Sequence, residues 1–172
     1  MSCMLESFAE QEFKNLLDFL AETPQVVRRL ARELTLDELK RKPADNEFSF
    51  LENVCHLRDI EQEGYTVRIE RLLGEHEPVL PDIDGAKLAQ GRDYNSQNFE
   101  TGLEEFARLR ERNVGALSNL SPENLSRMGT FEGAGKITLK RLAAMMREHD
   151  ETHLAEFKGL REWLTKGKAA GL

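Results

Sequence analysis

The sequence predicts an all-α fold, a bundle of four long helices forming one domain over residues 1–172, and three observations predict it. The 5 prolines and 12 glycines gather in a few places, leaving long uninterrupted runs of the kind that helices need. Within those runs the apolar residues return every three or four positions, the period of a helix with one buried face. Residues that cap helices stand where the runs begin.

The first helix is expected over residues 5–33, with Phe8, Phe13, Leu16, Leu17 and Leu20 on its buried face. Thr23-Pro24 is expected to interrupt it, Thr23 capping a new turn that Pro24 begins, after which Val26, Val27 and Leu30 continue the stripe. Thr35 and Glu38 have capping-box spacing and predict a short element before a loop through Pro43. Ser49 and Glu52 repeat that spacing, so the second long helix should start near Phe50 and run toward Gly74, carrying His56. The segment GEHEPVLPDIDGAKLAQGRDYNS follows, with two Pro and three Gly. It reads as a long connection between helices 2 and 3, of a length that is often functional, and it would suit a lid.

Ser96 is expected to open the third helix, in which Phe99, Leu103, Phe106, Leu109, Val114, Leu117 and Leu120 recur at helical spacing. Ser121-Pro122 should end it and begin a short turn. After the Gly-rich MGTFEGAGK, the fourth helix is expected from about Thr138 to Leu164, carrying His149 and His153.

Composition excludes several function classes. Hydrophobic residues make up 40% and charged residues 32%, too apolar for disorder and too interrupted by charge for a membrane span of about 20 apolar residues. The amino terminus MSCMLESFAEQEF carries acids where a secretory signal carries bases and an apolar stretch, so the expected address is the cytoplasm. Cys3 and Cys55 make no disulfide framework and are expected as reduced thiols. A net charge of −7 and a pI near 5.2 repel a phosphate backbone, and no basic stripe offsets them, so no nucleic-acid partner is expected. A chain of 172 residues can bury a core unaided, so a metal would be functional before structural.

The chemistry gathers at the histidines. Leu139, Leu142, Met146, His149, His153, Leu160 and Trp163 follow three-and-four spacing, which places two imidazoles on an otherwise apolar seam. Side chains four apart on a helix are neighbours, and two imidazoles so placed can converge on one ion. A lone HxxxH also arises as a solvated pair. The seam argues otherwise, because burying an unmet imidazole nitrogen costs about 1–3 kcal/mol and something should satisfy it.

His56, between Val54 and Leu57, is the candidate third ligand, whereas His76 sits beside two acids in a loop and reads as solvated. Three histidines leave a position open, as working metal sites do, and the ion can then activate water or a thiol. Glu52, Asp59 and Glu63 share the stripe of His56, and Asp150 adjoins His149. Each reads equally as a group that orients a ligand, a general base or part of a solvated acidic face. Cys55 points about 100° away from His56 and reads as a small buried residue.

NEFSFLENVCHLRDIEQEGYTVRIERLL, LPDID and TLKRLAAMMREHDETHLAEFKGLREWL together resemble the DinB-like superfamily of metal-dependent bundles over nearly the whole chain. The resemblance implies a DinB-like four-helix bundle, often a homodimer, with a divalent metal on His56, His149 and His153. It also implies a small-molecule substrate and, for some members, a low-molecular-weight thiol used in transfer or isomerisation, others being regarded as hydrolases. Phe48 departs from the pattern, since relatives often place Trp there, and this leaves the ligands untouched.

Three readings follow. The first is an enzyme, a hydrolase or thiol S-transferase, whose metal activates water or a thiol against a small electrophile. The second is a non-catalytic metal-binding stress-response protein, and the third an interaction module with core histidines. Three imidazoles suit Zn, Ni, Fe, Mn or Cu alike, so they do not name the ion.

Overall fold

Pro24 lies inside α1 (Ser2–Ala31) without breaking it, contrary to the interruption expected at Thr23-Pro24. The structure, a computed structural model, describes the backbone of residues 2–169 and the side chains of residues 10–167. Phe8 and Cys3 fall outside those described side chains. A proline within a helix leaves the carbonyl four residues earlier without its donor, here that of Leu20. The Arg110 guanidinium takes that carbonyl at 3.1 Å, and Thr23 Oγ1 folds back onto Phe19 O at 3.1 Å instead of capping a new turn. The break was expected because Arg110, a long-range partner, is invisible to local spacing.

Both capping boxes form. Thr35 and Glu38 cap α2 (Leu36–Lys40), and Ser49 and Glu52 cap α3 (Phe50–Asp59), where Ser49 N donates to Glu52 Oε2 at 2.7 Å. A π-helical stretch, Ile60–Thr66, joins α3 to α4 (Val67–Gly74), so the second long helix runs from Phe50 to Gly74 as the sequence suggested. Such wide turns inside α-helices concentrate near functional sites. Within this one Thr66 Oγ1 donates to Glu61 O at 2.9 Å, and the Glu61 carboxylate is buried against the third long helix.

The long connection is ordered, not bare. It contains β1 (Val79–Leu80) and α5 (Gly85–Arg92), whose cap Asp84 accepts from Lys87 N at 3.0 Å. The segment is tied down by Arg92, which reaches Asp59 and Glu63 at 2.6 Å each, and by the Tyr94 hydroxyl, which donates to Asp59 at 2.8 Å. α6 (Phe99–Ser118) is capped by Asn98, which accepts from Thr101 N at 2.9 Å. Ser96, the expected opener, ends a 3-10 turn instead. Ser121 caps the short α7 (Pro122–Leu125) as expected.

The Gly-rich stretch before the last helix is a hairpin, β2 (Met128–Phe131) and β3 (Gly135–Thr138), and β1 pairs parallel to β2 with Val79 opposite Thr130. A Cβ on Gly129 would stand 2.8 Å from Pro78 O, so glycine there lets the two strands approach. Gly133 turns the hairpin with φ +82, a conformation costly for other residues. This small three-stranded sheet, unforeseen in an all-α reading, caps one end of the bundle of α1, α3–α4, α6 and α8 (Leu139–Ala169).

Two apolar clusters fill the bundle. One gathers Leu20, Ile60, Leu117 and Met146, the other Val27, Leu57, Phe106 and Leu154. Between them every long helix contributes polar groups: Thr23 from α1, His56 and Glu61 from the second helix, Arg110 and Asn113 from α6, and His149, Asp150 and His153 from α8. Burying so many polar groups is costly unless each finds a partner, so the layer draws attention to itself. Trp163, expected on the buried seam, is 39% exposed at the far end of α8. Among the described residues no helix is long and apolar enough to cross a membrane.

Candidate metal centre

α3 supplies His56 and α8 supplies His149 and His153, one turn apart. All three converge, with potential ligand atoms within 4.8 Å of one another. Ring centroids lie 4.5 Å apart for His149 and His153, 4.8 Å for His56 and His153, and 5.5 Å for His56 and His149. Among the described residues no cysteine or carboxylate joins the cluster. His76 is exposed in its loop, as expected.

His153 is oriented by its surroundings. Its Nδ1 lies 2.9 Å from both Asn53 Oδ1 and Glu156 Oε2, while Asn53 Nδ2 donates to Ser49 O at 3.3 Å. The Asn53 amide is thereby fixed with its oxygen toward the ring, and both neighbours are acceptors, so Nδ1 carries the proton and Nε2 keeps a free lone pair. His56 Nδ1 and His149 Nδ1 are buried and make no hydrogen bond to any described residue. Orphaned buried nitrogens of this kind call for a partner.

Burial, reinforced by His153, pushes the His56 pKa down to about 4 and that of His149 to about 2. The imidazoles of His56 and His149 are therefore neutral at physiological pH, the form that binds metals. Hydrogen bonding to His153 holds the Glu156 carboxyl below its ordinary range. Three imidazole nitrogen donors, two of them on rings with a buried nitrogen that lacks any partner, fit a divalent transition ion.

The backbone of α5 closes over the cluster, since a Cβ on Gly85 would fall against the His56 ring, 3.0 Å from Nδ1. Phe48 lies tilted against His56 with ring centroids 5.5 Å apart, and Tyr65 meets His149 edge-on at 5.9 Å. A recess of about 670 Å³ runs from His153 and Asn53 outward past Phe48 to Trp163.

The carboxylates singled out in the sequence are occupied elsewhere. Glu52 caps α3 and pairs with Lys42 at 3.3 Å. Asp59 is buried under Arg58, Arg92 and Tyr94, and Glu63 pairs with Arg92. Asp150 turns from the histidines to Arg110. The orienting residues are Asn53 and Glu156, which sequence reading missed. Glu156 sits three positions from His153 on the same helix, so spacing was an available signal for it, whereas Asn53 reaches His153 from another helix and has no local signal. Cys55 is buried in the apolar cluster with Phe99 and Leu103, and burial raises its thiol to about 11.

Asn53→Ala should weaken metal binding about 10–100-fold while leaving the fold intact, the usual cost of losing a group that orients a ligand. Competition titration against a chromogenic chelator measures this, and an unchanged affinity would remove Asn53 from that role.

Residues 20–157, which include all three histidines, match the family model of the DinB superfamily. A protein of Oceanobacillus iheyensis, provisionally named a metal-dependent hydrolase, is 23% identical over 141 residues, covering 82% of this chain and 81% of that one. Among solved structures, YfiT from Bacillus subtilis superposes with a TM-score of 0.82 at 19% identity, covering 90% of this chain and 89% of its own. YfiT is described as a probable metal-dependent hydrolase with an unusual four-helix bundle topology.

Proposed function

Because this chain belongs to the DinB superfamily, we propose that it is a metal-dependent hydrolase of a small molecule, with His56, His149 and His153 as ligands of one divalent transition ion. The observation that carries the reading is the pair of buried, unpartnered imidazole nitrogens on His56 and His149 beside a correctly oriented His153. The hydrolase names of its relatives support the reaction class.

When bound, such an ion supplies Lewis acidity, which acidifies water or a thiol and polarises a carbonyl. The protein's own part is placement. Asn53 and Glu156 keep the proton of His153 on Nδ1, so its Nε2 lone pair is presented without a rotamer search. The apolar clusters pack on both sides of the histidines, and the α5 backbone lies over the His56 ring. That recess favours a working site over a closed storage site, because it leads from the surface to His153.

Hydrolysis and thiol transfer begin with the same activation, so one experiment separates them. Untagged protein loaded in turn with Zn, Ni, Fe and Mn is offered simple esters and amides, and in parallel electrophiles with low-molecular-weight thiols. Turnover in the first panel that disappears in His153→Ala is the expected result. Turnover confined to the thiol panel would replace the hydrolase reading, and silence in both would remove catalysis.

A further inference from the structure

The recess beside the histidines has one chemical character along its length. Phe48, Leu160 and Trp163 give it apolar and aromatic walls, Glu47 and Glu156 give it carboxylates, and His153 lies at its inner end. No lysine or arginine stands among its described lining residues. Of the cations near it in sequence, Lys42 pairs with Glu52 and Arg161 donates to the carbonyls of Leu30 and Arg32, while the exposed Lys87 and Lys158 adjoin Ala86 and Gly159 without lining the recess themselves. Glu156 is engaged by His153, whereas the exposed Glu47 carboxylate makes no ion pair with any described residue. An aromatic wall beside an uncompensated carboxylate attracts cations twice, through the ring faces and through charge. The same carboxylates repel an anion, and no cationic side chain lines the recess to offset them.

We infer that the recess selects small substrates with an apolar or aromatic body and a cationic or uncharged outer group, and disfavours anionic molecules, including thiols that carry carboxylates. This rests on the hydrolase reading for its inner end and names the substrate class of that same site. The apolar body lies between Phe48 and Trp163, the scissile group faces His153 at the inner end, and the outer group meets Glu47.

Trp163 is the only tryptophan in the chain, so its emission reports occupancy of the recess directly. Benzyltrimethylammonium, benzyl alcohol and benzylsulfonate share one aromatic body and differ in charge, and the sulfonate is a poor metal ligand. Each is titrated into full-length protein, zinc-loaded and chelator-treated, up to about 10 mM, a range suited to ligands of this size. The ammonium compound is expected to saturate the Trp163 signal at a concentration about tenfold or more below that of the sulfonate, with the alcohol between them. Glu47→Gln should shrink that gap to about threefold or less, and as an exposed substitution it should leave thermal stability unchanged.

Equal or tighter binding of the sulfonate overturns the inference, as does a Trp163 signal that responds to none of the three. A gap untouched by Glu47→Gln overturns the role of Glu47. The charge order in chelator-treated protein does not depend on metal. Cation-selective binding in a protein that takes up no metal would therefore sink the hydrolase reading and leave this one standing.

Discussion

His149→Ala is expected to abolish stoichiometric metal binding and, with it, the chelator sensitivity of folding. Losing a group that merely orients a ligand costs about 10–100-fold in affinity, so losing one of three ligands should cost more than about 100-fold. A ligand present at about 1,000 times its dissociation constant stabilises by about 4 kcal/mol. For a domain of this size each kcal/mol moves the melting temperature by about 2–4 °C. Chelator should therefore lower the wild-type Tm by roughly 8–16 °C and leave the variant where it is. Without metal the variant should not be much less stable than the wild type. The substitution removes a buried unpaired nitrogen worth about 1–3 kcal/mol, which offsets the cavity it leaves. His76→Ala, an exposed control, should bind metal as the wild type does. Elemental analysis and thermal melts with and without chelator decide the matter, and stoichiometric metal in His149→Ala would end the three-histidine assignment.

The four long helices and the seam that brings His149 and His153 inward are legible in the sequence because both are local. Apolar period, capping boxes at Thr35 and Ser49, and the Ser121-Pro122 turn need only near neighbours, and each appears in the structure. His56 was legible as a candidate through its apolar flanks. What escaped depends on partners far along the chain. Pro24 reads as a break until Arg110, 90 residues from Leu20 in sequence, is seen to take the freed carbonyl. The strand pairing of Val79 with Thr130 joins two segments that each look like loop. Asn53 gains its meaning only when His153 arrives from another helix. The acids that share the stripe of His56, Asp59 and Glu63, are claimed by Arg92 from the long connection.

Arg110 carries the other large effect. Its guanidinium is 1% exposed and spans two buried carboxylates, donating to Glu61 at 2.9 and 3.0 Å and to Asp150 through both of its terminal nitrogens. Asn113 adds a bond to Glu61 at 2.8 Å. Those carboxylates raise the Arg110 pKa further above its ordinary value against the pull of burial. Replacing a buried ion group outright is often neutral, whereas removing one member strands the rest and costs about 3–5 kcal/mol. Arg110→Met strands two carboxylates and also the Leu20 carbonyl that Pro24 leaves unserved. Its Tm should therefore fall by roughly 6–20 °C. Combining Arg110→Met with Glu61→Leu and Asp150→Leu should recover most of that loss, because only the carbonyl then lacks a partner. Melts of the single and triple variants test this: a single variant as stable as wild type would mean that the layer does not act as one charged unit. A triple variant that folds and still binds metal would limit the ion network to holding the helices together. One that folds without binding metal would show that Asp150, drawn to Arg110, sets the inward turn of His149 beside it.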